Sequence, residues 1–559
     1  MKKYIYLFAV LALGITTFTS CDLDKFPEGD VFTDSQKEDL FENSPDRVSA
    51  EVNGLASGLN RALILDSEPH FDYGFPAVCL MLESNGQDLW AAQIGYNWFS
   101  SPQAYNDRTV SSEETEFIWK TFYNHIKTAN NVLQLAPEDT ESPVFREYRG
   151  QALANRAFDY FNLIQIYQFT YKGNEKKAGV PLILEPIDDP LGYDNPRATV
   201  EEVYKQIMKD LDEAIIFLAE YDRPESHESK VSLEVVYGLR ARVNLVMENW
   251  SAAASDAKKA QAGFTPASLE EVSTPGFNSA KAKNWIWGST ITPQDDVVKT
   301  GILNWPSHLC SLTLNGYTLY VPKSINRPLW NDIPQTDIRR DWFLRSEKVD
   351  TVINKKDTII EVLKSKLIDD MKINYKGSFF PVTFFFTQVG SWDELTNVKF
   401  HAYQNIPGNS TNSSDWPLMR VEEMILVEAE ALAMSGDVAG GKKVLEDFVK
   451  TYRNPEFKSN ASSPEELQEE VWFQRRLELW GEGFSFYDLK RLKKPVTRVK
   501  LPENESSYPS AVRFNIEADN DVLLYMIPES EVNVNAGIDK ADNNPAGVVP
   551  DPIAPPIKD

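Results

Sequence analysis

Between residues 70 and 106 the chain carries His70, Phe71, Tyr73, Phe75, Trp90, Tyr96, Trp98, Phe99 and Tyr105. Asn85, Gln87, Asp88, Asn97 and Asn106 are interspersed among them. A sugar offers C–H faces that stack on aromatic rings, and hydroxyls that pair with amides and carboxylates. An exposed Trp/Tyr surface edged with such groups therefore suits glycan binding. Trp90, Tyr96 and Trp98 are the leading candidates, with Asp88, Asn97 and Arg108 as polar contacts. Trp305, Tyr320 and Trp330, far along the chain, could complete the surface. Large aromatics usually bury, so exposure decides which of these rings are available.

Other residue groups admit chemical readings that their spacing weakens. Arg475, Glu478, Glu482, Asp488 and Arg491 could be taken for catalytic carboxylates with partners. Opposite charges at helical spacing more often form ion pairs that fix neighbouring helices, and that reading is preferred. The acidic stretches Asp188-Asp189, Asp295-Asp296 and Asp519-Asn520-Asp521 could bind a structural calcium ion, but none has the EF-hand loop spacing. Solvated loops are the expected outcome, and no cofactor is called for. No Cys-x-x-Cys and no His-x-x-x-His pair signals zinc. Apart from Cys21, the only cysteines are Cys79 and Cys310. Two buried free thiols are expected, a disulfide being the alternative.

Helical periodicity defines the elements that must hold these residues. From about 113 to 135, Phe117, Ile118, Phe122, Ile126, Ala129 and Leu133 recur at helical spacing, with a capping box offered by Ser111-x-x-Glu114. A longer helix is expected over about 145–168, rich in alanine. Thr199-x-x-Glu202 opens a third, Ser232 a fourth, and Ala252 to Ala260 a fifth after a break at Glu248-Asn249-Trp250. Helices return near 418: one runs to Ser435-Gly436-Asp437, its partner from Val438 to Tyr452, and the next starts at Ser463-Pro464-Glu465-Glu466. Residues from about 265 to 415 are instead rich in Pro, Gly, Asn and Trp, with short strand-like runs such as Ser378 to Thr387. The reading is a mostly α fold, a tetratricopeptide-like array of helix pairs over about 113–262 and 418–493. A loop-rich insert interrupts it, as one domain over 46–559.

The first residues carry a different signal. Lys2 and Lys3 precede an apolar run from Tyr4 to Ile15, and Phe18-Thr19-Ser20-Cys21 follows. The run is too short to cross a bilayer of roughly 30 Å as a helix. It reads as a signal peptide over 1–20, with Cys21 acylated as the mature first residue and 21–45 as an acidic tether. Loss of the two lysines takes the formal charge from −26 to −28 (−26 − 2). So acidic a protein does not bind nucleic acid through general electrostatics.

Several stretches together resemble the starch-binding outer-membrane lipoproteins of the SusD/RagB type from Bacteroidetes. Arg156-Ala157-Phe158-Asp159-Tyr160-Phe161-Asn162-Leu163, then Tyr167 and Gly179-Val180-Pro181-Leu182, resembles that family's first long helix and its following loop. Arg420, Glu423, Met424, Leu426, Ala429, Glu430, Ala431, Gly436 and Asp437 match a second helix. Gln474 to Gly483, closing with Tyr487-Asp488-Leu489-Lys490-Arg491, is similar to its most recognisable stretch, and Ile527-Pro528-Glu529-Ser530-Glu531-Val532-Asn533 to its last. Two positions depart from the pattern: Asn544-Pro545-Ala546-Gly547, where the family often has Asn-Pro-Gly-Tyr, and Ser485-Phe486 before Tyr487.

The resemblance implies a binding protein without hydrolytic activity, lipid-anchored in the outer membrane and facing the exterior. It implies a lid on a SusC-like TonB-dependent transporter, gripping an oligosaccharide for import, with part of the ligand surface drawn from the 70–106 segment. A peptide-binding lid of the same type is the alternative. A surface glycoside hydrolase, which would need two carboxylates about 5–9 Å apart, and a pure assembly scaffold are the remaining rivals.

Overall fold

The computed structural model describes residues 45–187, 194–313, 316–353, 356–375, 378–382 and 392–554. Cys21, the tether and the Asp188-Asp189 doublet lie outside the described residues.

The array is built from α1 (Pro45–Gly58), α2 (Phe75–Asn85), α3 (Glu113–Leu135), α4 (Pro143–Tyr167), α5 (Val200–Phe217), α6 (Leu233–Val246) and α7 (Trp250–Ala260). It continues with α8 (Val421–Met434), α9 (Val438–Tyr452), α10 (Pro464–Glu478) and the short α11 (Ser485–Arg491). Each helix from α3 to α7 packs on the next, and α7 packs directly on α8, which packs on α9 and α10. The two runs of helix pairs thus form one continuous array although about 160 residues separate α7 from α8 in sequence.

The helix starts follow side-chain capping. Thr199 and Glu202 form the full box at α5: the Glu202 N–H donates to Thr199 Oγ1 at 3.2 Å and the Thr199 N–H to Glu202 Oε2 at 2.8 Å. At α3 the cap is Ser112, accepting from the Thr115 N–H at 3.4 Å, one residue later than the Ser111 box expected. At α10 Ser463 caps Glu466 N–H, but the Glu466 carboxylate reaches back to the Ser462 N–H at 2.7 Å, not to Ser463. Small residues set the close approaches. A Cβ on Gly238 of α6 would sit 2.2 Å from Met419 Sδ, so a larger residue there would push α6 away from the start of α8.

The insert is tied off at its root. β2 (Trp285–Ser289) pairs antiparallel with β6 (Trp416–Arg420), Ser289 opposite Trp416 and Trp285 opposite Arg420, and β6 runs straight into α8. Separately, β1 (Leu89–Trp90) pairs with β3 (Ser324–Ile325) of the insert, Leu89 opposite Ile325. That short pair lays the 89–99 segment alongside residues 317–325. The insert also holds a nine-by-nine-residue hairpin, β4 (Arg345–Ile353) with β5 (Lys356–Lys364), longer than the short strands expected there. Of the strand anticipated over 378–387, Ser378–Pro381 is a strand and most of the rest lies outside the described residues. Among the described residues no helix is long and apolar enough to cross a membrane.

Candidate ligand-binding site

The β1–β3 pairing brings three of the expected aromatics together. Tyr96 and Tyr320 are 59% and 48% exposed and stack with ring centroids 5.7 Å apart at 27°. Trp98, half-buried beside them, stacks on His70 at 4.6 Å and 21°. Tyr317 joins the two pairs. Its hydroxyl is hydrogen-bonded to His70 Nδ1, and its carbonyl accepts the Tyr320 N–H at 3.1 Å. Burial lowers the His70 imidazole below its ordinary value, which favours the neutral ring. Burial raises the Tyr317 phenol, opposed by a hydrogen bond from Trp98. The stack continues inward through His308, 4.4 Å from Tyr317, to Tyr73. A column of rings therefore runs inward from Tyr317, which is joined to Tyr320 by that backbone turn.

The loop carrying Tyr96 is shaped from beneath by Asn97, which is 3% exposed. Its Nδ2 donates to the Ala92 carbonyl at 3.0 Å and its Oδ1 accepts the Phe99 N–H at 3.2 Å. Lys323, also buried, donates to Asn97 Oδ1 and to the Val321 carbonyl, each at 3.4 Å. On the other strand Gly316, at φ 142°, lets the chain pass over Ser307; a Cβ there would lie 2.3 Å from Ser307 Oγ.

The structure places the other candidates elsewhere. Asn97 holds its own loop and presents no side chain outward. Asp88, 2% exposed, spends its carboxylate on Arg476 at 2.6 and 2.8 Å, joining β1 to α10. Arg108, 4% exposed, donates to Asp107 and the Val522 carbonyl and lies between the rings of Tyr105 and Tyr525. Trp305, 2% exposed, packs against Phe400 and Trp416 with its indole N–H on the Ser414 carbonyl. These four are structural because burial leaves them no surface for a ligand. Trp90 is half-buried with its N–H on the Ile325 carbonyl. Trp330 has one face covered by the Arg340 guanidinium, 3.8 Å from the ring centroid. Neither joins the tyrosine pair. Sequence reasoning assigned His70 no role and missed Tyr317; only the ladder pairing of two distant segments reveals their place.

The charged residues near the C-terminal helices form the ion-pair network expected of them. Glu478 contacts Arg453 at 2.7 Å, Arg420 at 3.0 Å and Arg339 at 3.4 Å, and Arg420 also holds Glu482 at 2.8 Å. Although burial pushes the Glu478 carboxyl up, these guanidiniums hold it well below the usual range. Asp488 is shared by Arg475 and Arg491, both at 2.7 Å. Every carboxylate in the network is engaged by a cation. Cys79 and Cys310 are free and buried, and burial pushes the Cys310 thiol up to about 12. Among the described residues no three His, Cys, Asp or Glu side chains converge as a metal site; Asp295 is occupied by the Thr292 N–H and hydroxyl.

Comparison with known proteins fits this architecture. The SusD-like profile described as "Starch-binding associating with outer membrane" matches residues 81–245, and the SusD family profile matches 387–545. The chain belongs to the SusD/RagB family, whose members are binding proteins and not enzymes. A SusD-like protein of Formosa agariphila is 23% identical over 419 residues, covering 70% of this chain and 75% of the relative. Another from the same organism is 24% identical over 98% of this chain and 100% of its own length. The crystal structure of a SusD-like carbohydrate binding protein from Bacteroides vulgatus superposes with a TM-score of 0.70 at 22% identity, covering 90% of this chain and 98% of that one. A putative sugar binding protein from the same species gives 0.66 at 21% identity, covering 90% and 99%.

Proposed function

We propose that this protein captures oligosaccharides at the outer surface of the cell and serves as the lid of a SusC-like TonB-dependent transporter. It is held to the outer membrane by acyl chains on Cys21. The observation that carries the reading is the exposed, stacked Tyr96–Tyr320 pair beside Trp98. Two rings stacked on loops fixed by the Asn97 hydrogen bonds and the Tyr317–Tyr320 turn are pre-organised, so a sugar can stack on the outer faces at little ordering cost. Family membership and the sugar-binding descriptions of the structural neighbours support the same ligand class.

Affinity electrophoresis and calorimetry against a panel of polysaccharides and their oligosaccharides test it. Binding to one glycan class, weakened by Tyr96→Ala and Trp98→Ala, is the expected result. Absence of binding to any glycan, with binding to peptides instead, would overturn the ligand assignment. Cys21→Ser should release the protein from the membrane fraction and abolish incorporation of labelled palmitate.

A further inference from the structure

His70 reaches the exposed tyrosines through one residue, Tyr317, and its surroundings fix where its ring sits. The loop that carries it is closed by the Leu65 N–H on Asp72 Oδ2 at 2.7 Å and by the Asp72 N–H on the Pro69 carbonyl at 2.9 Å. Its own carbonyl accepts the His308 Nε2–H at 2.9 Å. Its ring lies on Trp98, centroids 4.6 Å apart at 21°. Neither the loop nor the ring has to be ordered when a ligand arrives.

The Tyr317 hydroxyl decides which ring nitrogen carries the proton. An indole N–H can only donate, so the bond from Trp98 uses the Tyr317 oxygen as its acceptor. The single proton of that hydroxyl then goes to His70 Nδ1, its other hydrogen-bond partner. Were Nδ1 protonated instead, two N–H groups would point at one phenol oxygen. The phenol proton would then have no acceptor among the described residues, in a side chain that is only 6% exposed. The neutral ring, which burial favours, therefore carries its proton on Nε2. That nitrogen has no hydrogen-bond partner among the described residues, and it is not shut away. The ring is half-buried, and the histidine nitrogens that are both enclosed and unpartnered belong to His308 and His401. His70 Nε2–H is thus an open, oriented donor, one hydroxyl removed from Tyr96, whose phenol lies close enough to Tyr317 to raise it.

We infer that His70 is a further ligand contact of this site, donating its Nε2–H to one oxygen of the sugar that stacks on the Tyr96–Tyr320 pair. The inference rests on sugar stacking at that pair and adds the direction that stacking lacks. A ring face accepts a sugar in several rotations, whereas one fixed donor selects the rotation that places an oxygen before it. The Trp98–Tyr317–His70 chain keeps that nitrogen a donor, so a hydroxyl, ring or glycosidic oxygen suits it and a second N–H does not.

The test is calorimetry with maltoheptaose, cellohexaose, laminarihexaose and xylohexaose as probes, on wild type, Tyr96→Ala, His70→Phe and His70→Gln. His70→Phe keeps a flat ring on Trp98 and removes the donor, and His70→Gln returns an N–H at similar reach. The phenylalanine variant should bind the preferred probe roughly 3- to 10-fold more weakly, the range of one hydrogen bond, and the glutamine variant should recover most of that loss. Unchanged affinity in His70→Phe, or an equal loss in both variants, overturns the inference, while stacking at the tyrosines stands if Tyr96→Ala still weakens binding. A probe held unchanged by Tyr96→Ala, or no binding of any probe, overturns the stacking and the His70 contact with it. Nitrogen NMR of wild type carrying isotope-labelled histidine needs no ligand. The imidazole signal missing from the His70 variants should be that of a ring protonated at Nε2, and a ring protonated at Nδ1 overturns the inference whatever the variants bind.

Discussion

Tyr96 and Tyr320, 224 positions apart in sequence, stack with their centroids 5.7 Å apart and both remain about half exposed. Single exposed apolar residues are ordinary, but adjoining ones mark interaction sites, and here Asn97 and Lys323 fix the loop that carries Tyr96. Each ring should therefore contribute to ligand affinity and little to stability. Tyr96→Ala and Tyr320→Ala are each expected to weaken glycan binding by roughly 2- to 10-fold, the range of one aromatic stacking contact. The melting temperature should stay within a degree or two of wild type. Calorimetric titration alongside a thermal melt measures both, and a large loss of stability with unchanged affinity would refute the assignment.

Trp305 should behave in the opposite way. Its indole is enclosed by Phe400 and Trp416 and its N–H is satisfied by Ser414. Trp305→Ala removes a buried ring and leaves a cavity, which costs about 3–5 kcal/mol. Denaturant unfolding is expected to show that loss, while the fraction that remains folded binds glycan with native affinity.

The contrast marks where sequence reading succeeds and where it stops. The amphipathic helices α3 and α5 and the capped α10 were legible because periodicity and capping residues are local. The charged stretch from Arg475 to Arg491 was legible because opposite charges at helical spacing seek each other. α2 was not read, since Phe75 to Asn85 is buried on every side and such a helix has no polar face to give a period. Among the aromatics, Trp305 and Tyr320 are equally plausible ligand contacts in one dimension. Their difference is set by the β1–β3 pairing, which lifts Tyr320 beside Tyr96, and by the β2–β6 root, which packs Trp416 over Trp305. Register between distant strands has no local signature. Asp88 and Arg108 were misjudged for a related reason: their partners, Arg476 and Val522, are several hundred residues away.

Glu478 anchors the buried network that fixes α10 to α8 and to the insert, taking Arg453, Arg420 and Arg339 at 3.4 Å or less. Glu478→Gln leaves three guanidiniums short of an anion in a fully buried setting, and breaking such a network costs about 3–5 kcal/mol. Urea unfolding should report that loss. Because the carboxylates are already held by cations, no hydrolysis of any oligosaccharide is expected from wild type or variant. Turnover by the purified protein that disappears in Glu478→Gln would contradict the structural assignment.

Lys323 supplies the pH dependence. It is buried beneath the loop that carries Tyr96, with two long hydrogen bonds and no carboxylate in reach among its recorded contacts, facing the His308 imidazole and the Phe99 ring. Burial pushes its ammonium from the ordinary 10.5 down to about 7. Between those values the unfolded chain carries a proton on this residue that the folded chain does not. Stability therefore rises with pH across the window, by up to about 1.4 kcal/mol per unit from this group. Below pH 7 the full penalty of charging a buried lysine is present; above 10.5 it is gone. Lys323→Met removes the penalty, so the variant should exceed wild type by a few kcal/mol at pH 6.5, and the gap should shrink steadily by pH 9.5. Denaturation of both proteins at the two pH values measures the difference between them, which cancels the other titrating groups. A gap that stays constant, or grows with pH, would mean that Lys323 is charged in the fold throughout.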